Sequence, residues 1–247
     1  MQGTVVGKRQ WTSGLISLQI TAPDVTFVAG QFSRLALPAP PGSKADMVAR
    51  PYSFVNAPDT SPHEFYFNTV PEGPLTPRLA ALAAGDAVWL QPRGAGFLPV
   101  REAPKSDVLW CFSTGTGLGP FLSILRTAEP WEKFGRIVLV HAVRYSRDLT
   151  YGDVIADIAA AHRRMFNYLP MVSREPHRDA LAGRIPDAIR AGELEARAGL
   201  TLSADTSHVM LCGNPAMVDD TQEVLVARGM RRHRRNEPGH ITVETYW

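Results

Sequence analysis

Cysteine is scarce in this 247-residue chain: Cys111 and Cys212 are its two, and they lie far apart. A disulfide framework is therefore excluded, as is an iron–sulfur cluster held by four protein ligands. Lysine is equally scarce, four of 26 basic residues, so positive charge is carried by Arg. Acidic residues nearly balance it, and the net charge of +2 is too small to imply nucleic acid as a partner. No apolar run approaches the roughly 20 residues a membrane helix needs, so no membrane span is expected. The seven His form no HxH or HExxH spacing, and no metal site is expected. The start, Met1-Gln2-Gly3-Thr4-Val5-Val6-Gly7-Lys8, lacks a basic stretch followed by an apolar one, so no signal peptide is expected. Together with the free thiols this predicts a cytoplasmic protein.

What is present divides the chain in two. Residues 4–100 hold short β-branched or aromatic runs bounded by Gly, Pro, Asp and Ser: Thr4–Lys8, Leu15–Ile20, Gln31–Leu37, Tyr52–Val55, Glu64–Val70 and Ala87–Gln91. Such spacing predicts an antiparallel barrel or sandwich. One helix interrupts them, with Thr76 as its N-cap, Pro77 at its first position, Leu79 and Leu82 on its apolar side and Gly85 as its stop. Its approach, Gly73-Pro74-Leu75-Thr76, is either a plain capped helix start or an anion site built on free N–H groups.

Within the strands, Arg50-Pro51-Tyr52-Ser53 stands out. Residues two apart share a strand face, so the Arg50 guanidinium and the Tyr52 ring can meet one ligand bearing a phosphate and a flat ring. A flavin nucleotide has that shape. Alternation turns Ser53 to the other face.

Beyond residue 100, strand and helix alternate. Strands are predicted at Val108–Phe112, Ile137–Val143, Tyr168–Val172 and His208–Cys212, and helices through about Thr127, then at Val154–Arg164, Ile185–Ala191 and Ala216–Arg228. This is the pattern of an α/β doubly wound parallel sheet, whose ligands gather at the C-terminal strand ends. The first end carries Gly115-Thr116-Gly117-Leu118-Gly119-Pro120, a dinucleotide-type turn with Pro in place of a third Gly. Arg144 follows the second strand, Ser173 and Arg174 the third, and Arg184 comes soon after. They are either solvated surface arginines or a site for a 2′-phosphate, which would make the nucleotide NADP rather than NAD. Cys212-Gly213-Asn214-Pro215 closes the fourth; Cys212 is either a buried thiol before a turn or a polarizable one at the sheet edge. The run Arg231-Arg232-His233-Arg234-Arg235 is a solvated face or a docking patch for an acidic partner, and the aromatic end Glu244-Thr245-Tyr246-Trp247 predicts a tail tied down against something flat.

Taken in order, these five motifs resemble those of ferredoxin (flavodoxin)–NADP reductases, closest to the bacterial type, and the resemblance spans the whole chain. It implies an FAD-binding β-barrel domain over residues 1–100. It implies an NADP-binding α/β domain over residues 101–247, with its tail returning to the flavin. It places Arg50 on the FAD phosphates within the stretch Arg50, Pro51, Tyr52 and Ser53. It puts Tyr52 on the isoalloxazine, Ser53 near flavin N5, Tyr66 on FAD, Pro74, Leu75 and Thr76 on the pyrophosphate, and Thr116 between flavin and NADP. It assigns Tyr246 and Trp247 to the flavin and adenine rings. Val143, Arg144, Ser173, Arg174 and Arg184 fall at the adenosine 2′-phosphate end of NADP, with Asn214 and Asp220 by the nicotinamide nucleotide. Ser53, Cys212, Glu244 and Tyr246 are the implied catalytic set. The implied partners are an acidic ferredoxin or flavodoxin, met by a monomer, and the implied role includes supply of reductant under oxidative stress. A reductase of free flavin and a non-catalytic electron-transfer subunit are the rival readings.

Overall fold

The computed structural model describes residues 1–245 of the chain. Its first sheet holds β1 (Gln2–Gln10), β2 (Leu15–Thr21), β3 (Phe32–Pro38), β4 (Met47–Ser53), β5 (His63–Asn68) and β6 (Ala87–Leu90). Every pairing is antiparallel, in the order β4-β3-β6-β1-β2-β5. The two edge strands approach each other at one end. There Phe54 and Phe65 form a bridge, and the Val55 N–H donates to the Glu64 carbonyl at 2.9 Å. The expected β-barrel architecture follows from this curl. Alternation drives it: Ser33, Leu35 and Leu37 of β3 are buried while Arg34 between them is exposed. The interior is filled by Val5, Leu18, Ile20, Leu35, Phe54, Phe65 and Val88, and Leu79 of α1 (Thr76–Ala81) packs into it.

Two local expectations are corrected. β4 begins at Met47, not Tyr52, because its ladder with β3 runs back to the Pro38–Met47 pair. Pro51 does not break it, since an edge strand has no second neighbour to receive its missing N–H. Thr76 is not the N-cap of α1. Leu75 occupies that position without a side-chain bond, and the Thr76 hydroxyl instead accepts the Val70 N–H at 2.8 Å, closing the preceding turn.

The second sheet is wholly parallel: β7 (Val108–Thr114), β8 (Arg136–Val143), β9 (Phe166–Val172), β10 (Leu181–Ala182), β11 (Ser207–Gly213) and β12 (Ile241–Thr245), in the order β10-β9-β8-β7-β11-β12. Alternate residues feed two cores. Leu109, Cys111, Leu139, Met210 and Cys212 face α2 (Leu118–Leu125) and α4 (Gly152–Ala161). Trp110, Phe112, Val140 and Leu211 face α5 (Ile185–Arg190), α6 (Glu193–Ala198) and α7 (Pro215–Ala227). The short elements α3 (Glu129–Lys133), α6 and β10 were not expected; each is too brief to show a period. From β7 the chain steps outward through β8 and β9, then returns to the other side as β11. The switch point therefore lies between the ends of β7 and β11.

The halves share a core. Leu15, Ala29, Val55 and Tyr66 of the first pack with Leu118, Phe121 and Leu122 of the second. Among the described residues no helix is long and apolar enough to cross a membrane.

Candidate active site at the switch point

Register aligns four polar side chains across the second sheet. Glu244 pairs with Cys212, Cys212 with Ser113, and Ser113 with His141. All four fall on the face that carries Cys111 and Leu139. Cys212 is fully buried. The backbones above the row touch: a Cβ on Gly117 would collide with the Cys212 carbonyl, and one on Gly213, at φ +139°, with Thr114. Only glycine permits this close approach. The Asn214 N–H donates to Thr114 Oγ1 at 2.9 Å, and Asn214 Oδ1 caps α7 by accepting from Ala216 N at 3.0 Å. Its side-chain oxygen is thus committed to the helix. Asp220 is exposed on α7, about one and a half turns further on. Thr116 is half-buried in the short turn Gly115–Gly117.

The barrel meets this row from the other side. Ser53 pairs with Phe32, and Phe32 in turn bridges Ala95. Beside Ala95, Gly96 has φ +116°, and a Cβ there would lie 2.5 Å from Glu244 Oε1. Ser53, on β4, is thus linked to Glu244, on β12, through Phe32, Ala95 and Gly96. Ser53 is buried. Glu244 Oε2 is buried and finds no hydrogen-bond partner among the described residues. Burial pushes the Glu244 carboxyl up to about 7, and the Phe97 main-chain N–H opposes the shift. Arg50 and Tyr52 share a face, as alternation requires. Arg50 is exposed, and Tyr52 is half-buried with its ring 5.7 Å from Phe67. Burial pushes the Tyr52 phenol up to about 12, with the Arg50 charge working the other way. Pro51 is exposed on the opposite face, and Pro74 is exposed at the approach to α1. The Leu75 side chain belongs to the barrel core, so any contact it makes outside the core is through its backbone.

At the far strand ends, backbone bonds extend the pairing past β8 and β9. The Ser173 N–H donates to the Val143 carbonyl and the Arg174 N–H to the Arg144 carbonyl, each at 3.0 Å. Arg144 and Arg174 are thus locked side by side and exposed, and Arg184 is exposed at the start of α5. The basic run 231–235 lies elsewhere. Arg232 bridges Ile241, at the opposite end of β12 from Glu244. Tyr246 and Trp247 lie outside the described residues.

Residues 112–223 match the oxidoreductase NAD-binding domain family. The flavodoxin/ferredoxin–NADP reductase of Escherichia coli (strain K12) is 45% identical over 246 residues, covering 99% of this chain and 98% of its own. The ferredoxin–NADP reductase of Pseudomonas aeruginosa is 33% identical, covering 97% and 95%. The chain belongs to the flavodoxin/ferredoxin–NADP reductase family. In structure it is similar to a ferredoxin NADP+ reductase from Neisseria gonorrhoeae solved with bound FAD and NADP. That match has a TM-score of 0.93, 30% identity, and coverage of 100% and 98%.

In this member of the reductase family, one cluster had no signal in the sequence. Tyr151 sits at φ 58°, a left-handed conformation rare for a non-glycine residue. Its phenol donates to Glu64 Oε1 at 2.8 Å and meets Ser17 Oγ at 2.5 Å. Arg126 lies 3.8 Å from Glu64, and the Thr150 hydroxyl donates to Tyr66 at 2.9 Å. Tyr66 is therefore buried in the seam between the halves, its hydroxyl already engaged. The hydrogen-bonded partners are 84 to 134 residues apart, and Arg126 is more distant in the chain from Glu64 than any local pattern reaches.

Proposed function

We propose that this reductase uses FAD to pass electrons between NADPH and a ferredoxin or flavodoxin. The observation that carries the reading is the approach of the barrel to the switch point, where Gly96, next to the Ala95 that bridges Phe32, lies against the buried Glu244 carboxyl. The residues present fit the two nucleotides. Arg50 offers a fork for phosphate beside a ring-bearing Tyr52. The glycine backbones at 115–117 and 213 allow close approach. The orphaned Glu244 oxygen is a polar group left for a ligand or water to satisfy.

Residues 1–100 form the FAD domain in this reading and residues 101–247 the NADP domain. Arg50, Tyr52 and Ser53 hold FAD together with the backbone of Pro74, Leu75 and Thr76, while Tyr66 braces the site from the seam. Arg144, Ser173, Arg174 and Arg184 take the 2′-phosphate, and Thr116, Asn214 and Asp220 line the way to the nicotinamide. Bound FAD supplies the exchange between a two-electron hydride and single electrons. Ser53 and Cys212 orient the rings, and Glu244 holds or releases a proton beside them. The roles of Pro51, Val143, Tyr246 and Trp247 rest on the family alone. The protein partner is acidic and the reductase is a monomer.

Replacing Ser53 by Ala tests the site. FAD content is expected to hold while reduction by NADPH slows by one to two orders of magnitude. An unchanged rate would defeat the assignment.

A further inference from the structure

Under the Gly115–Gly117 turn lies a polar side chain with no task in the site described so far. His141 of β8 is fully buried, on the same face as Cys212 and Ser113. Its row-mates are engaged. Ser113 Oγ donates to the Val140 carbonyl at 2.8 Å, Cys212 backs Gly117, and Glu244 faces Gly96. Neither ring nitrogen of His141 completes a hydrogen bond among the described residues. Burial holds the imidazole down to about 4, while the Gly115 main chain acts weakly the other way. The ring is therefore uncharged at neutral pH, with the Gly115 main chain as its nearest polar neighbour and no fully formed bond to it.

A buried polar group without partners costs stability that an apolar residue of similar shape would not. Leu at this position would simply extend the apolar face of Ile137 and Leu139. The main chain nearest in role is Gly115, which opens the turn at φ +52° with free space around its Cα. The turn carries Thr116, and its far end, Gly117, is held against the Cys212 carbonyl.

We propose that His141 is a positioning residue for the pyridine nucleotide: through the Gly115 main chain it sets the Gly115–Gly117 turn so that Thr116 is presented to NADP. This rests on the NADP reading above. The ring touches neither nucleotide. Its hydrogen bonds close as the turn settles on the ligand, so the unmet polarity of the free protein becomes affinity for the bound one.

The test compares FAD-loaded wild type with His141→Leu and His141→Gln. FAD content, thermal midpoint, NADP+ affinity by calorimetry and the His ring nitrogen resonances with and without NADP+ are measured. His141→Leu is expected to keep its FAD and a midpoint equal to or above wild type, yet to bind NADP+ about fivefold more weakly. His141→Gln, which restores a donor and an acceptor, is expected to recover most of the affinity. In wild type one ring resonance, absent from His141→Gln, is expected to move when NADP+ is added. A more stable His141→Leu with unchanged NADP+ affinity overturns the proposal, as does an unmoved ring resonance. Should His141→Leu fail to fold, the resonance and His141→Gln decide the matter. A wild type that binds no NADP+ sinks the functional reading and takes this proposal with it. A wild type that binds normally beside an unaffected His141→Leu sinks this proposal alone.

Discussion

At Glu244 the chain keeps a carboxyl largely out of water, and burial raises its pKa from 4.5 to about 7. The folded state then holds the proton more tightly than the unfolded state. Stability from this group is fully present below about 4.5 and is lost as pH rises through about 7. Glu244→Gln in the flavin-free chain is thus expected to match wild type near pH 4 and to exceed it above pH 7 by roughly 1–3 kcal/mol. Denaturant unfolding across that range checks the sign, and a wild type that gains on the variant as pH rises contradicts it. Gly96 is coupled to the same carboxyl. Gly96→Ala adds a Cβ 2.5 Å from Glu244 Oε1 at φ +116°, and is expected to destabilise the chain by about 1–3 kcal/mol in the same unfolding experiment. The sequence shows part of this scale only. Arg50 and Tyr52 share a face by strand period alone. Ser53 looks misplaced by the same rule, because its burial beside Phe32 is a matter of the tertiary fold and not of strand period.

The loops after β8 and β9 act as one element. Their arginines were legible as strand-end residues, because parallel strands deliver their C-terminal ends to one edge. What the sequence could not show is that Ser173 and Arg174 are zipped to Val143 and Arg144 by backbone bonds. This fixes the backbones of Arg144 and Arg174 side by side, as the proposed phosphate site requires. The double variant Arg144→Ala/Arg174→Ala is expected to raise the KM for NADPH by at least about tenfold and leave that for NADH nearly unchanged. Steady-state kinetics with both nucleotides distinguishes this from a general loss of binding. The short elements escaped because a five- or six-residue helix carries less than two turns of pattern. Thr76 misled because its hydroxyl has two possible tasks, a cap or the Val70 turn, and only the fold selects one.

The whole molecule is two sheets joined by a polar seam inside a shared core. Tyr151 ties Ser17 of β2 to Glu64 of β5 from the start of α4. Tyr151→Phe removes the hydroxyl and leaves the buried Ser17 and the mostly buried Glu64 each short of a partner. A cost of about 1–3 kcal/mol is expected, read as a fall in thermal midpoint of roughly 2–4 °C per kcal/mol. Such a seam was invisible in the sequence, whereas the two halves themselves were plain, because period two gives way to strand–helix alternation near residue 100. In the proposed function, the seam and the switch point together hold a flavin between NADPH and a one-electron partner. Anaerobic rapid mixing of the purified yellow protein with NADPH or NADH is the decisive measurement. NADPH is expected to bleach the flavin at least about tenfold faster than NADH, and the bleached protein is then expected to reduce ferredoxin or flavodoxin. A colourless protein, or equal bleaching by the two nucleotides, would contradict the proposed function.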